Sequence, residues 1–214
     1  MVFNTVSDGT SEKNPVSAKV EFEISNGIIK IDLYNLLEDP RASNQAISGL
    51  LFTTSNPNNP GSVTINSSVG DIINVNDDMT YTNLGTQSPL DRWHVQAPTT
   101  TLIALGQGQP DHMILGMPDA NNLYSSGNTS LTGGQFNPFV LYKAHFELAA
   151  SDVTDYTMIA SVTFLFGTSG NQVSGISAVP EPASLALCAI GAAVFLSRRL
   201  LRRRTEPARL HQAA

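Results

Sequence analysis

Cysteine is almost missing from this chain: one in 214 residues, Cys188. No disulfide can staple it, so a hydrophobic core must hold whatever fold it has. About 180 residues upstream of the C-terminal tail are enough to bury one. Charged residues are scarce, at 14%. Basic ones are scarcer in the body: up to Pro182 there are 6 Lys+Arg against 17 Asp+Glu, net −11. Nucleic-acid binding needs basic patches, so this balance excludes it as a partner. No G-x-S-x-G, S-x-x-K or H-E-x-x-H motif occurs, nor a Gly-rich phosphate loop with lysine. No repeat of solenoid or propeller length is present. Met1 to Thr10 holds no basic residue and no apolar stretch, so no signal peptide is visible there. Two explanations compete: Met1 lies within a longer reading frame, which is the preferred reading, or the chain inserts by its C-terminal segment alone.

What the body does have is short alternating runs between turn residues. Val20, Phe22 and Ile24 alternate with Lys19, Glu21 and Glu23. After Asn26-Gly27, Ile29, Ile31 and Leu33 alternate with Lys30, Asp32 and Tyr34. Period two on both sides of Asn-Gly predicts an antiparallel hairpin. Its outer charges are placed to pair across the strands. Further strands are expected over 46–54, over 63–75 in two pieces broken at Gly70, over 91–96 and 100–105, over 137–149, and over 158–166. In 137–149, alternation puts Val140, Tyr142, Ala144, Phe146 and Leu148 on one side, and Lys143, His145 and Glu147 on the other. The stretch 106–134 is rich in glycine and reads mostly as loop around Met113-Ile114-Leu115, part of which pairs. The expected class is mainly β: an antiparallel β-sandwich over 15–166, after a loose segment 1–14 and before a small-residue linker 167–178.

The tail has another character. Val179-Pro180-Glu181-Pro182 precedes 14 residues, Ala183 to Leu196, that carry no charge. As helix these span about 21 Å, short of a hydrocarbon core of roughly 30 Å. Continuation to Leu201, with Arg198 and Arg199 snorkelling to the head groups, makes a span over 183–201. Pro180 and Pro182 stop the helix upstream. Arg198, Arg199, Arg202, Arg203 and Arg204 close it and mark the cytoplasmic side. The body then lies outside, with 205–214 as a cytoplasmic tail. A buried core helix is the rival reading. Five arginines within seven residues, followed by no apolar pattern, argue against it. Cys188 reads as a small hydrophobe in lipid.

Pro-Glu-Pro, a short apolar helix and an arginine cluster, in that order over 179–204, resemble the PEP-CTERM sorting signal of Gram-negative bacteria. The resemblance implies recognition by an exosortase, a membrane transpeptidase-like enzyme. Cleavage near Val179, Pro180, Glu181 and Pro182 would pass the body to the cell surface or extracellular matrix. It implies no activity for the body. The function expected is that of a non-enzymatic surface or matrix protein, with exosortase and membrane lipid as partners. The alternative is a module binding exopolysaccharide or another carbohydrate on the same anchor.

Candidate chemistry in the body is thin. Asp91, His94, Asp111 and His112 are the acid–histidine combinations to test. On a strand, adjacent Asp111 and His112 would point to opposite faces. A metal site needs three or four converging ligands, and this spacing supplies none. Asp71, Asn74, Asn76, Asp77 and Asp78 form a denser oxygen cluster. It suggests Ca2+, but lacks the order and the glutamate of an EF-hand loop. A solvated acidic loop is the reading, with Asp71, Asp77 and Asp78 the weak metal candidates and no cofactor expected. Trp93, Tyr81, Tyr124 and Tyr142 are expected in the core or scattered, not gathered as a sugar platform. Thr80, Thr82 and Thr99 to Thr101 do not make the regular threonine array of an ice-binding face.

Overall fold

The computed structural model describes residues 1–56, 61–96, 100–104 and 110–178. Strand accounts for 52% and helix for 4%, so the class read from composition and alternation holds. In chain order the strands are β1 (Val2–Thr5), β2 (Thr10–Ser11), β3 (Asn14–Pro15), β4 (Ala18–Ser25) and β5 (Ile28–Asn35). A 3-10 turn over Ser43–Gln45 leads to β6 (Ile47–Thr54), β7 (Val63–Val75) and β8 (Tyr81–Gln87). Then come β9 (His94–Gln96), β10 (Thr101–Ile103), β11 (Ile114–Leu115), a single helical turn α1 (Thr129–Thr132), β12 (Phe139–Ala150), β13 (Ile159–Phe166) and β14 (Asn171–Ser177).

The β4–β5 hairpin forms where Asn26-Gly27 predicts it, with Ser25 opposite Ile28 and Gly27 at φ 78°. Val20, Phe22, Ile29, Ile31 and Leu33 are buried, as the period-two pattern requires. Its charges pair differently from expectation. Lys19 bonds Glu21 along β4, at 3.1 Å, and Asp32 turns to β12 instead.

Strands β2 and β3 pair in a small sheet of their own. Where two stacked sheets were expected, the other twelve strands form one barrel-like sheet. Its order is β8-β7-β12-β5-β4-β1-β14-β13-β6-β10-β9, and β11 pairs both β12 and β6. Ile114 lies parallel to Val140 and antiparallel to Ile47. The circuit therefore closes through β11, which removes open edges along it. Asn35, fully buried at the end of β5, pins this closure. Its side-chain amide donates to the carbonyls of Gln45 and Ile114, both at 2.9 Å.

Two apolar clusters share the strands. Ile72, Ile114 and Val140 belong to the main core with Phe22, Ile31, Phe52, Trp93, Phe146 and Phe164. Their neighbours Ile73, Leu115 and Phe139 belong to a second cluster with Tyr124 and Leu131. Successive strand residues face opposite ways, so this corner is buried on both faces. The stretch 116–136 provides its outer cover.

Several sequence expectations need correction. The segment 1–14, read as loose, holds β1, which pairs both β4 and β14 and buries Phe3. The linker 167–178 is largely strand. Gly167 and Gly170, both at positive φ, turn the chain back, and β14 pairs β13 and β1. Gly175 suits close packing there, since a Cβ on it would sit 3.1 Å from Phe164. The two strands expected over 63–75 are one, because Gly70 continues the ladder and makes room for Val140. Strand β8, from Tyr81 to Gln87, was not foreseen. The sorting signal 179–204, its membrane span 183–201 and the tail 205–214 lie outside the described residues. Among the described residues no helix is long and apolar enough to cross a membrane.

Candidate functional site

The densest polar arrangement is on the outer face of β4, β5 and β12. Register sets two adjacent rows across these strands. Lys19, Tyr34 and Lys143 form one; Glu21, Asp32 and His145 form the other. The Lys19 and Lys143 ammonium groups lie 4.2 Å and 5.0 Å from the Tyr34 ring centroid, in cation–π range. The Tyr34 hydroxyl donates to Glu21 at 3.2 Å. Asp32 Oδ1 takes the Lys143 ammonium at 3.1 Å and His145 Nδ1 at 2.7 Å.

Glu21 and Asp32 are like charges directly opposite each other, an unfavourable cross-strand pair. Their cationic neighbours offset the repulsion. The Lys19 bond leads in holding the Glu21 carboxyl below its ordinary value, against partial burial and with help from Tyr34. Burial works against ionised Asp32, yet the bonds from His145 and Lys143 outweigh it and lower its pKa. Burial likewise opposes charge on Lys143, and the bonds to Asp32 and Tyr34 outweigh it, raising its pKa. Ionised Asp32 can only accept, so His145 Nδ1 must carry a proton. In the neutral imidazole Nε2 is then the acceptor.

Beside these rows β12 breaks its ladder with β7. Val140 opposes Ile72 and Ala144 opposes Gly70, so Leu141, Tyr142 and Lys143 face Asp71 alone. Tyr142 sits in this bulge at φ 63°. Alternation had placed its side chain inward; the bulge leaves it half-exposed, packed edge-on against Tyr34 at 5.7 Å. A left-handed conformation at a bulky residue is strained, typically by about 1–3 kcal/mol. The bulge borders a cleft of about 490 Å³ lined by Val69, Asp71, Thr86, Met117, Tyr142, Lys143 and His145, among others. Asp71 Oδ1 accepts the Thr86 hydroxyl at 2.6 Å.

The acid–histidine candidates divide. Asp111 and His112 do meet, Oδ1 to Nδ1 at 3.0 Å, because His112 adopts φ 56° and is not on a strand. Arg92 Nε joins the same carboxylate oxygen at 3.1 Å. Asp91 instead accepts from Gln87, and exposed His94 lies against its own turn at Arg92 O. His112 and Asp91 border a second cleft of about 450 Å³. The one hydroxyl-bearing residue among the described lining, Thr86, donates its hydroxyl hydrogen bond to Asp71. Among the described residues no nucleophile is hydrogen-bonded to the Asp111–His112 pair. The segment instead anchors structure: the His112 carbonyl accepts Trp93 Nε1 at 2.8 Å, and its amide bonds Pro138 O.

Among the described residues no three His, Cys, Asp or Glu side chains gather as a metal site. Asp71 on β7 bonds Thr86 of the neighbouring β8, while Asp78 closes a turn onto the Thr80 amide and hydroxyl. Those two bonds, the hydroxyl first, lower the Asp78 pKa. Asn76 binds Thr80 and Thr82. Trp93 is buried against Phe146, with ring centroids 4.9 Å apart, and Tyr124 is fully buried with Tyr81 beside it. A sugar groove built on Trp93 is therefore ruled out. Thr100 and Thr101 are buried; Thr99 is outside the described residues, as are Val179, Pro180, Glu181, Pro182, Arg198, Arg199, Arg202, Arg203 and Arg204.

No family model, no curated protein and no solved structure matches this chain. Sequence reading missed Asp32, Tyr34 and Lys143 as members of a site. Alternation had put each outward, but only the pairing of β5 with β12, more than a hundred residues later, brings them together.

Proposed function

We propose that this chain is a non-enzymatic surface or matrix protein: a mainly β body delivered by a PEP-CTERM-type sorting signal and processed by an exosortase. The observation that carries the reading is the order within 179–204: Pro-Glu-Pro, an uncharged run and an arginine cluster. Neither half of that tail specifies the route alone. The uncharged run is long enough to span lipid only with the flanking arginines at the interface. Those arginines fix the cytoplasmic end. A body free of cysteine needs no oxidising step after export.

The test is surface accessibility in a Gram-negative host. An epitope inserted at the exposed Asn26 turn should be removed by added protease in cells that carry an exosortase. In cells without one, or when Arg198, Arg199, Arg202, Arg203 and Arg204 are changed to Glu, it should stay protected or cell-associated. Equal exposure in all three strains would refute the sorting role of the tail.

A further inference from the structure

The cleft beside the β12 bulge has the composition of a sugar site. We infer that it binds a neutral polysaccharide, with the Tyr142 ring against a pyranose face and Asp71, Lys143 and His145 on its hydroxyls. The inference stands on the body alone and does not depend on the sorting tail. Four observations lead to it.

The first is the tyrosine. Tyr34 and Tyr124 bond their hydroxyls within the protein, to Glu21 and to the Gly116 carbonyl. The Tyr142 hydroxyl has no bond of this kind among the described residues, although its ring borders a cleft. A tyrosine so placed offers an apolar face and a polar tip together. The second is the backbone. Tyr142 holds a strained φ of 63° in a bulge, and bulges re-aim side chains next to binding sites.

The third is the balance of donors and acceptors. Lys143 has ammonium protons beyond the one given to Asp32. Asp71 has a second carboxylate oxygen beyond the one taken by Thr86, and His145, with Nδ1 on Asp32, has its Nε2 left over. A sugar hydroxyl both donates and accepts, so it matches a cleft that presents both. The volume, about 490 Å³, lies in the range of roughly 300–1,000 Å³ typical of ligand sites.

The fourth is charge. The cations here are already engaged: Lys143 and Lys19 flank Tyr34 and pair with Asp32 and Glu21. Asp71 is acidic, and the body is strongly acidic throughout. An anionic polysaccharide would be repelled, which leaves a neutral one.

The full chain, in a detergent without a sugar head group, should be run by affinity electrophoresis through gels containing β-glucan, galactomannan, xylan or alginate. At least one neutral polymer should retard it, and alginate should not. Tyr142→Gly relieves the backbone strain as it removes the ring, so it should fold with little change in Tm. It should also weaken retardation about tenfold or more. Asp71→Asn keeps an acceptor for Thr86 and should weaken it similarly, whereas Lys30→Ala, outside the cleft, should not. Retardation by no neutral polymer, retardation by alginate alone, or retardation unchanged in both cleft variants with native Tm would each overturn the inference.

Discussion

The β4–β5 hairpin and the corner formed by β7, β11 and the start of β12 are made of the same residue types, yet they differ in how many faces they bury. In the hairpin, Ile29, Ile31 and Leu33 face inward while Lys30, Asp32 and Tyr34 remain partly exposed. In the corner, Ile72 and Ile73 are both buried, as are Ile114 and Leu115, and Phe139 and Val140. A strand with one wet face announces itself by alternation. A strand segment covered on both sides is a short apolar run that a buried helix or a loop could equally supply. The hairpin also carries its own turn, whereas the corner is assembled from segments far apart in sequence.

The largest test of this contrast compares Leu115→Ala with Lys30→Ala. Leu115 is fully buried in the outer cluster and should cost about 2–5 kcal/mol in denaturant unfolding. Lys30, on the wet face of the hairpin, should stay within about 0.5 kcal/mol. Similar losses at the two positions would erase the distinction. Next in size is Tyr124→Phe. The Tyr124 hydroxyl donates to Gly116 O at 3.0 Å within the corner, and burial, the largest cause, pushes its pKa well above the ordinary value. Its removal leaves a buried carbonyl unpaired, for about 1–3 kcal/mol.

Gly27→Ala probes the hairpin turn itself. Beyond the two adjoining residues no atom stands within 4 Å of an added Cβ, so only the φ of 78° opposes the change. The expected loss is roughly 1 kcal/mol, read as a small drop in Tm. The smallest effect concerns acid. Asp32 has a depressed folded pKa, so its contribution to stability is complete above the unfolded value of about 3.9 and is lost as pH falls through the folded one. Unfolding curves for Asp32→Asn should therefore show less loss of stability between about pH 5 and pH 2 than the unaltered chain. An identical acid slope in both would mean that the pairs with Lys143 and His145 are not felt.

These same physical differences decide what could be read in advance. Asn26-Gly27 and its flanking alternation specified β4, β5, their turn and their buried face, since all of that information is local. The alternation of β12 was legible from Lys143 onward but failed at Tyr142. Nothing in Leu141-Tyr142-Lys143 signals a bulge, because no glycine or asparagine marks the left-handed residue. Strand β14 was missed because Ser174, Gly175 and Ser177 look like a linker, although the smallness of Gly175 suits packing against Phe164 and Val162. Asp111 and His112 were separated by assuming a strand where the backbone turns left-handed. The outer-face site was invisible for a further reason. Its rows exist only once β5 and β12 are in register, and register between distant strands is a property of the whole sheet.

The claim on which the account turns is that 179–204 is a delivery signal, removed from its cargo together with the tail 205–214. Intact-mass measurement of the protein recovered from exosortase-bearing cells tests it most directly. The account predicts a mature chain whose C-terminus lies near Pro180-Glu181-Pro182, lighter than the 22.9 kDa sequence by the residues beyond, and absent from exosortase-deficient cells. A chain that still ends at Ala214 in both strains would contradict it.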